Sequence, residues 1–224
     1  MLKCELYGDS ALLLTFSEDL SEEINTIIVN YTKKLKEKAI VGVISIIPAF
    51  TTITVGYDFL LISYEELQEI LLSIPLDKKK LGASRLIEIP VCYANEFGLD
   101  FKEVISYTGL SKEKIIALHT EPEYLVYMLG FTPGFFYLGG LNKKLFCSRK
   151  TIPRLKIEEG AVGIGGKQTG VYSIASPGGW QIIGKTPIKI FDKSNFENPF
   201  KVMQGDRIKF KEISLKEYKI IKNA

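Results

Sequence analysis

The sequence predicts an α+β chain in two domains, a helix-covered antiparallel sheet over residues 1–80 followed by a β-barrel over 81–224. Three observations predict it. Up to residue 75 the apolar periodicity alternates as strand, helix, strand, strand, helix; the polar stretch PLDKKKLGAS at 75–84 carries Pro and Gly; and from about residue 120 Gly and Pro punctuate short β-prone runs. With 224 residues and 46% hydrophobic content, the chain exceeds the usual single domain and can fill two cores.

Residues 11–16, ALLLTF, read as a strand, and Ser21 opens a helix with Ile24, Ile27, Ile28, Tyr31 and Leu35 on one face. Glu22 and Glu23 begin that helix and Lys33, Lys34, Lys36 and Lys38 end it, a polarity that suits the helix dipole; the lysines therefore read as a solvated helix end. VGVISIIP at 41–48 and FTTITVGY at 50–57 are joined too tightly for anything but a hairpin or bulged turn. Ser63 and Glu66 make a capping box for a second helix, whose stripe of Leu67, Ile70, Leu71 and Ile74 ends at Pro75. With a flanking strand at each end, this half-symmetric order is that of a ferredoxin-like unit.

Past the linker, RLIEIPV is a new apolar run, followed by two short helices. One is expected to be capped by Asp100 with Glu103 and stapled by Leu99 to Val104, the next opened by Ser111 and stapled by Leu110 to Ile115, with Gly109 as C-cap between them. The runs AVGIGG, GVYSIAS, WQIIGK, PIKIF and DRIKFKEI then supply the strands of a closed or nearly closed barrel.

Composition removes several function classes. Lys and Arg number 29 against 26 acidic residues, and a net charge of +3 gives no strong pull toward nucleic acid or anionic membrane. The opening MLKCELYGDSALLLTF has too short and broken an apolar stretch for a signal peptide or membrane span, so a cytoplasmic location is expected. Cys4, Cys92 and Cys147 are widely separated, without a CxxC or a second histidine, and read as small apolar residues in or near strands.

Four segments could carry chemistry. The run Gly160 to Gly170 departs from a P-loop at Ala161 and Gln168 and from the dinucleotide pattern at 168. Either its glycines bring backbone N–H groups close to a ligand, with Gln168 offering an amide, or they form a tight barrel corner. The run Leu129 to Gly140 packs Phe131, Phe135, Phe136 and Tyr137 among Pro133 and Gly134, as core or as the wall of a pocket. His119, the chain's one histidine, is either a structural residue or a proton carrier. Arg154, after Pro153 and close to Arg149 and Lys150, could clamp a carboxylate or phosphate, or simply be solvated. Ser176, Pro177, Gly178 and Gly179 lead into Trp180, which is expected to be core.

The signatures GFTPGFFYL at 130–138, AVGIGGKQTGVY at 161–172, SPGGWQIIGKTP at 176–187 and QGDRIKF at 204–210 resemble the family of 5-oxoprolinase B components and KipI, also labelled as an allophanate hydrolase subunit. IPVCYANEFGLD at 89–100 and LHTEPEYLVYMLGF at 118–131 extend the likeness over essentially the whole chain. The resemblance implies a cyclophilin-like barrel and work with partner subunits C and A, opening 5-oxoproline to L-glutamate at the expense of ATP, a co-substrate with Mg2+ that the partner could hold. Activation by ATP suits a resonance-stabilised lactam, whose carbonyl carbon water attacks more easily once its oxygen is phosphorylated. At matching positions it implies His119 as proton carrier and Arg154 as anion clamp. Substrate contacts would come from Phe131, Pro133, Gly134, Phe135 and Tyr137, from Gly163, Gly165, Gly166, Gln168 and Thr169, and from Ser176 to Gly179. Lys167, at a position where the family has a small residue, carries no shared role. The same family includes an inhibitor of a sporulation histidine kinase, a competing reading as a binding module; prolyl isomerase activity does not follow from a shared barrel.

Overall fold

The structure, a computed structural model, describes residues 2–79 and 84–223; the expected boundary at 80/81 and the end of the expected linker lie outside these residues. The chain divides into two compact units, Met1–Ala83 and Ser84–Ala224.

The first unit runs β1 (Lys3–Leu6), β2 (Ala11–Thr15), α1 (Glu22–Lys38), β3 (Val43–Pro48), β4 (Thr52–Tyr57) and α2 (Tyr64–Ser73). Its sheet has the order β1-β2-β4-β3 and is antiparallel throughout. The ferredoxin-like layering is present in a permuted form: the edge place beside β2 that a last strand would take is filled by the first strand, β1. The KCEL strand folds back on β2 through a turn in which Gly8 has φ +72° and the Tyr7 N–H reaches the Ala11 carbonyl. No closing strand follows α2 among the described residues of this unit.

Local signals set the helices. Ser21 Oγ accepts the Ile24 N–H, and the Ser63 hydroxyl and Glu66 carboxylate form the complete capping box. Leu12, Leu14, Ile53 and Val55 point from alternate positions of β2 and β4 onto Ile28, Tyr31, Leu35, Leu67 and Leu71. Burying each such side chain contributes about 1.5–3 kcal/mol, and together they hold the helices on the sheet.

The second unit runs β5 (Leu86–Val91), α3 (Phe101–Thr108), α4 (Lys112–Thr120), β6 (Glu123–Leu129), β7 (Phe136–Gly139), a 3-10 turn (Lys143–Leu145), β8 (Arg154–Ile157), β9 (Ala161–Gly165), β10 (Gln168–Val171), β11 (Ser176–Gly178), β12 (Gln181–Lys185), β13 (Arg207–Glu212) and α5 (Leu215–Asn223). Seven strands form one sheet in the order β12-β9-β10-β7-β6-β13-β5, with β13 and β5 parallel. Its two edges meet just past β5, where Cys92 and Lys185 exchange backbone hydrogen bonds of 2.9 and 3.0 Å, so the sheet closes as a barrel. β8 and β11 pair separately.

Three details depart from expectation. Asp100 precedes α3 but makes no side-chain cap bond, and Leu99 is 57% exposed rather than stapled. The run PIKIF is not a strand; it contributes one isolated bridge, Phe191 to Phe200. The helix α5 was not foreseen, although Leu215, Tyr218 and Ile221 repeat at helical spacing. The Ser111 cap and the left-handed Gly109 C-cap at φ +66° are as expected. Among the described residues no helix is long and apolar enough to cross a membrane.

Candidate functional site

Strand alternation gives the β9–β10 hairpin two different faces. Val162, Ile164 and Val171 point into the barrel core with Phe136 and Leu138. Ala161, Gly163, Gly165 and Gly170 point outward, and the Trp180 indole lies over them: a Cβ on Gly165 would overlap Trp180 Cδ1, one on Gly163 would sit 3.2 Å from Trp180 Cβ, and one on Gly170 2.6 Å from the Phe136 carbonyl. Gly166, at φ +64°, and Lys167 form the two-residue loop between the paired Gly165 and Gln168. The glycine run is thus a turn plus a bare platform for an indole. That packing sets the Trp180 side chain directly against Gly163 and Gly165.

Around the indole stands an aromatic cluster. Phe135, 2% exposed, meets Tyr137, Tyr172 and Trp180 edge-on at centroid distances of 4.9, 5.3 and 5.5 Å. Tyr137 meets Trp180 at 5.9 Å and remains half-buried, and Phe131, in a left-handed conformation at φ +74°, extends the cluster from the loop with 59% exposure. The loop is held by the Ser173 hydroxyl, which donates to the Pro133 carbonyl at 2.6 Å, and by Gly134, where a Cβ would press on Phe191 at 2.7 Å. Pro133 and Pro177 are exposed. Gly178 leaves room for the Tyr172 hydroxyl, and the Gly179 carbonyl accepts the Lys150 N–H at 2.6 Å. Ser176, 7% exposed, buries its hydroxyl without a hydrogen-bond partner among the described residues. Gln168 is half-buried on the Gly170 side of β10, the face that carries Trp180.

The basic loop before β8 divides its charges. Both terminal nitrogens of Arg154 donate to Asp100, each at 2.7 Å, and Lys150 Nζ adds a third contact at 2.9 Å. The Ile182 N–H completes the shell at 2.7 Å, and Asp100 itself is fully buried. Burial works to raise the Asp100 pKa, but the hydrogen bonds from Arg154, Lys150 and Ile182 outweigh it and hold the carboxyl below its usual range. Arg154 therefore clamps a carboxylate of the chain's own, tying β8 to the start of α3. Arg149, exposed and five residues upstream, instead lies over the Trp180 ring at 5.9 Å.

His119 lies at the end of α4. It is fully buried, stacked on Phe210 at 4.6 Å, with Nδ1 2.8 Å from the Tyr93 hydroxyl and Nε2 2.8 Å from Thr169 Oγ1. Because the Thr169 hydroxyl donates to the Gly163 carbonyl at 2.9 Å, it accepts from Nε2–H, which leaves Nδ1 to accept from Tyr93. Burial pulls the imidazole pKa down to about 3. Both nitrogens are occupied and the ring is neutral, so His119 braces α4 against β10 through Thr169.

A separate cleft of about 400 Å³ runs beside the Arg154 pair, lined by Phe97, Lys156, Glu158 and Lys185. Lys185 and Glu158 pair across it. Among the described residues no three of His, Cys, Asp and Glu gather as metal ligands. With the glycines beneath Trp180, neither a nucleotide nor Mg2+ finds a fitting cradle in this chain's glycine run.

Sequence reasoning missed Arg149 as the cation of the aromatic face and Asp100 as the organiser of the basic loop. The spacing Arg149, Lys150, Arg154 was visible; which of the three lacks a carboxylate depends on a residue about fifty positions away.

A permuted ferredoxin-like sheet and a closed barrel bearing an external aromatic face define a two-unit α+β protein of carboxyltransferase-like fold. The chain belongs to the family described as carboxyltransferase domain, subdomain C and D, whose profile matches residues 2–202. The B component of 5-oxoprolinase from Bacillus subtilis (strain 168) is 43% identical over 229 residues, covering 96% of this chain and 94% of that protein. Among solved structures, TTHA0988 superposes with a TM-score of 0.81 at 35% identity over 96% of this chain, which spans 40% of that longer chain. The conserved uncharacterized protein PH0987 from Pyrococcus horikoshii is 41% identical, with 96% of this chain and 100% of that one covered and a TM-score of 0.57.

Proposed function

We propose that this chain acts as the B component of an ATP-dependent 5-oxoprolinase, working with subunits C and A to open 5-oxoproline to L-glutamate. The observation that carries this reading is the 43% identity to the Bacillus subtilis B component along nearly the full length of both proteins. The aromatic face supports it chemically: a flat five-membered lactam suits the exposed ring of Phe131 and the half-buried Tyr137, both backed by the buried Trp180, with the Gln168 amide able to donate to or accept from the ring amide. ATP and Mg2+ are assigned to the partner subunits, since Trp180 fills the glycine platform here. The expected division of labour follows: this chain shapes the substrate end of the site and does not turn over ATP alone.

The test is reconstitution. The purified chain, subunits C and A, and the three together are assayed for 5-oxoproline-dependent release of ADP and glutamate. Turnover confined to the full mixture supports the reading. A full mixture without turnover, from a chain that binds a histidine kinase tightly, overturns it in favour of the inhibitor.

A further inference from the structure

We propose that Arg149 receives the substrate's carboxylate, a role that rests on the 5-oxoprolinase reading above. The basic loop holds three cations next to the aromatic face, and two are spent: Lys150 and Arg154 both contact Asp100 within 3.0 Å. Arg149 has no ion pair within 4.0 Å among the described residues, and its guanidinium stands 5.9 Å from the Trp180 ring. Its charge reaches both neighbouring phenols: burial raises the pKa of Tyr137 and Tyr172, and Arg149 opposes that rise in each.

A guanidinium is planar by delocalisation, and one standing over an indole keeps its N–H edge available, which favours a bidentate grip on a planar anion. The platform is rigid, because Gly163, Gly165 and Gly170 let the indole lie directly on the β9–β10 backbone and Phe135 and Tyr172 brace it edge-on. A ligand seated here meets an aromatic surface, one uncommitted cation, and the amide of Gln168 on the same face. That set matches a small ring bearing both a lactam and a carboxylate. Asp100, with Glu103 3.7 Å from Lys150, pairs the two neighbouring cations and leaves Arg149 as the cation facing the aromatic shelf.

The experiment compares wild type, Arg149→Gln and Arg149→Lys in the complex with subunits C and A, measuring kcat and KM for 5-oxoproline and inhibition by 2-pyrrolidinone, the same lactam without the carboxylate. Losing a charge-assisted contact should raise the KM of Arg149→Gln roughly ten- to hundredfold, with kcat changed less. Arg149→Lys should recover part of the loss, and inhibition by 2-pyrrolidinone should stay within about threefold of wild type in both variants. An Arg149→Gln complex that assembles normally with an unchanged KM overturns the proposal and leaves Arg149 a solvated surface cation. A parallel rise in KM and in the 2-pyrrolidinone inhibition constant also overturns it, since the residue would then shape the ring pocket. A wild-type complex with no turnover sinks the 5-oxoprolinase reading itself, and this proposal with it.

Discussion

The brace around His119 predicts an unusual acid sensitivity of the second unit. In the unfolded chain the imidazole titrates near 6.5, whereas in the folded protein burial holds its pKa down to about 3. Below pH 6.5 the unfolded state therefore binds a proton that the folded state refuses, and stability falls as pH drops until the folded pKa is reached. Integrating this difference gives a loss of about 1.4 kcal/mol between pH 7.5 and pH 5.5. The chain has one histidine, so no other imidazole contributes to that window. It also has one tryptophan, Trp180, which sits in the same unit and reports its unfolding. Urea unfolding followed by Trp180 emission at pH 7.5, 6.5 and 5.5 should show the loss in wild type. His119→Gln, which can hydrogen-bond but not titrate here, should be less stable at pH 7.5 yet nearly flat across the window. A wild-type profile without the slope, or a His119→Gln profile that keeps it, would refute the neutral buried imidazole. The folded protein would then protonate His119 freely, and the residue would return as a candidate proton carrier, because only a base with a pKa near the working pH transfers protons well.

Asp100→Asn should cost roughly 3 kcal/mol of unfolding free energy, because it removes the buried carboxylate that Arg154 and Lys150 share. Since its folded pKa lies below the unfolded one, the stability it provides exists above about pH 4 and fades as pH falls further; the variant should lack that acid limb in the same urea assay. Gly165→Ala should lose about 1–3 kcal/mol and shift Trp180 emission, as the new methyl displaces the indole, while Gly179→Ala, whose nearest neighbour would be 3.5 Å away, should stay within about 0.5 kcal/mol of wild type. Equal losses at the two glycines would refute the platform. Ser63→Ala removes the capping box of α2 and should lower the stability of the first unit by about 1 kcal/mol, read by the loss of helical circular dichroism on heating.

What the sequence disclosed was whatever is decided within a few residues. Ser21, Ser63, Ser111 and Gly109 act where their spacing predicts, because a cap is a bond between positions three or four apart. Asp100 carries the same local signature and fails, since Arg154 and Lys150 offer its carboxylate stronger partners from 54 and 50 residues away. The glycine run was visible as a pattern and ambiguous as a function; its reason is Trp180, in the bend between β11 and β12. The partners that hold His119, Tyr93 and Thr169, are 26 and 50 positions distant, so no local pattern announces them. The permuted sheet escaped because KCEL is short and alternates charge with apolar residues, and PIKIF has strand composition without a neighbour to pair with along its length.

The parallel pairing of β13 with β5 has a consequence for how the chain is made. Those strands join residues 86–91 to residues 207–212, and the Arg85–Asp206 ion pair at their ends spans 121 positions. During synthesis the ribosome releases the first unit's strands and helices together, with all their pairing partners within reach. The second unit must wait with β5 unpartnered until β13 emerges, at the usual elongation rate several seconds later. Over that interval an apolar edge lies open to mispairing. Nascent chains stalled just before residue 207 should therefore recruit chaperones and be readily cleaved in the second unit, whereas chains carried through residue 224 and held on the ribosome by an added linker long enough to clear the exit tunnel should resist protease.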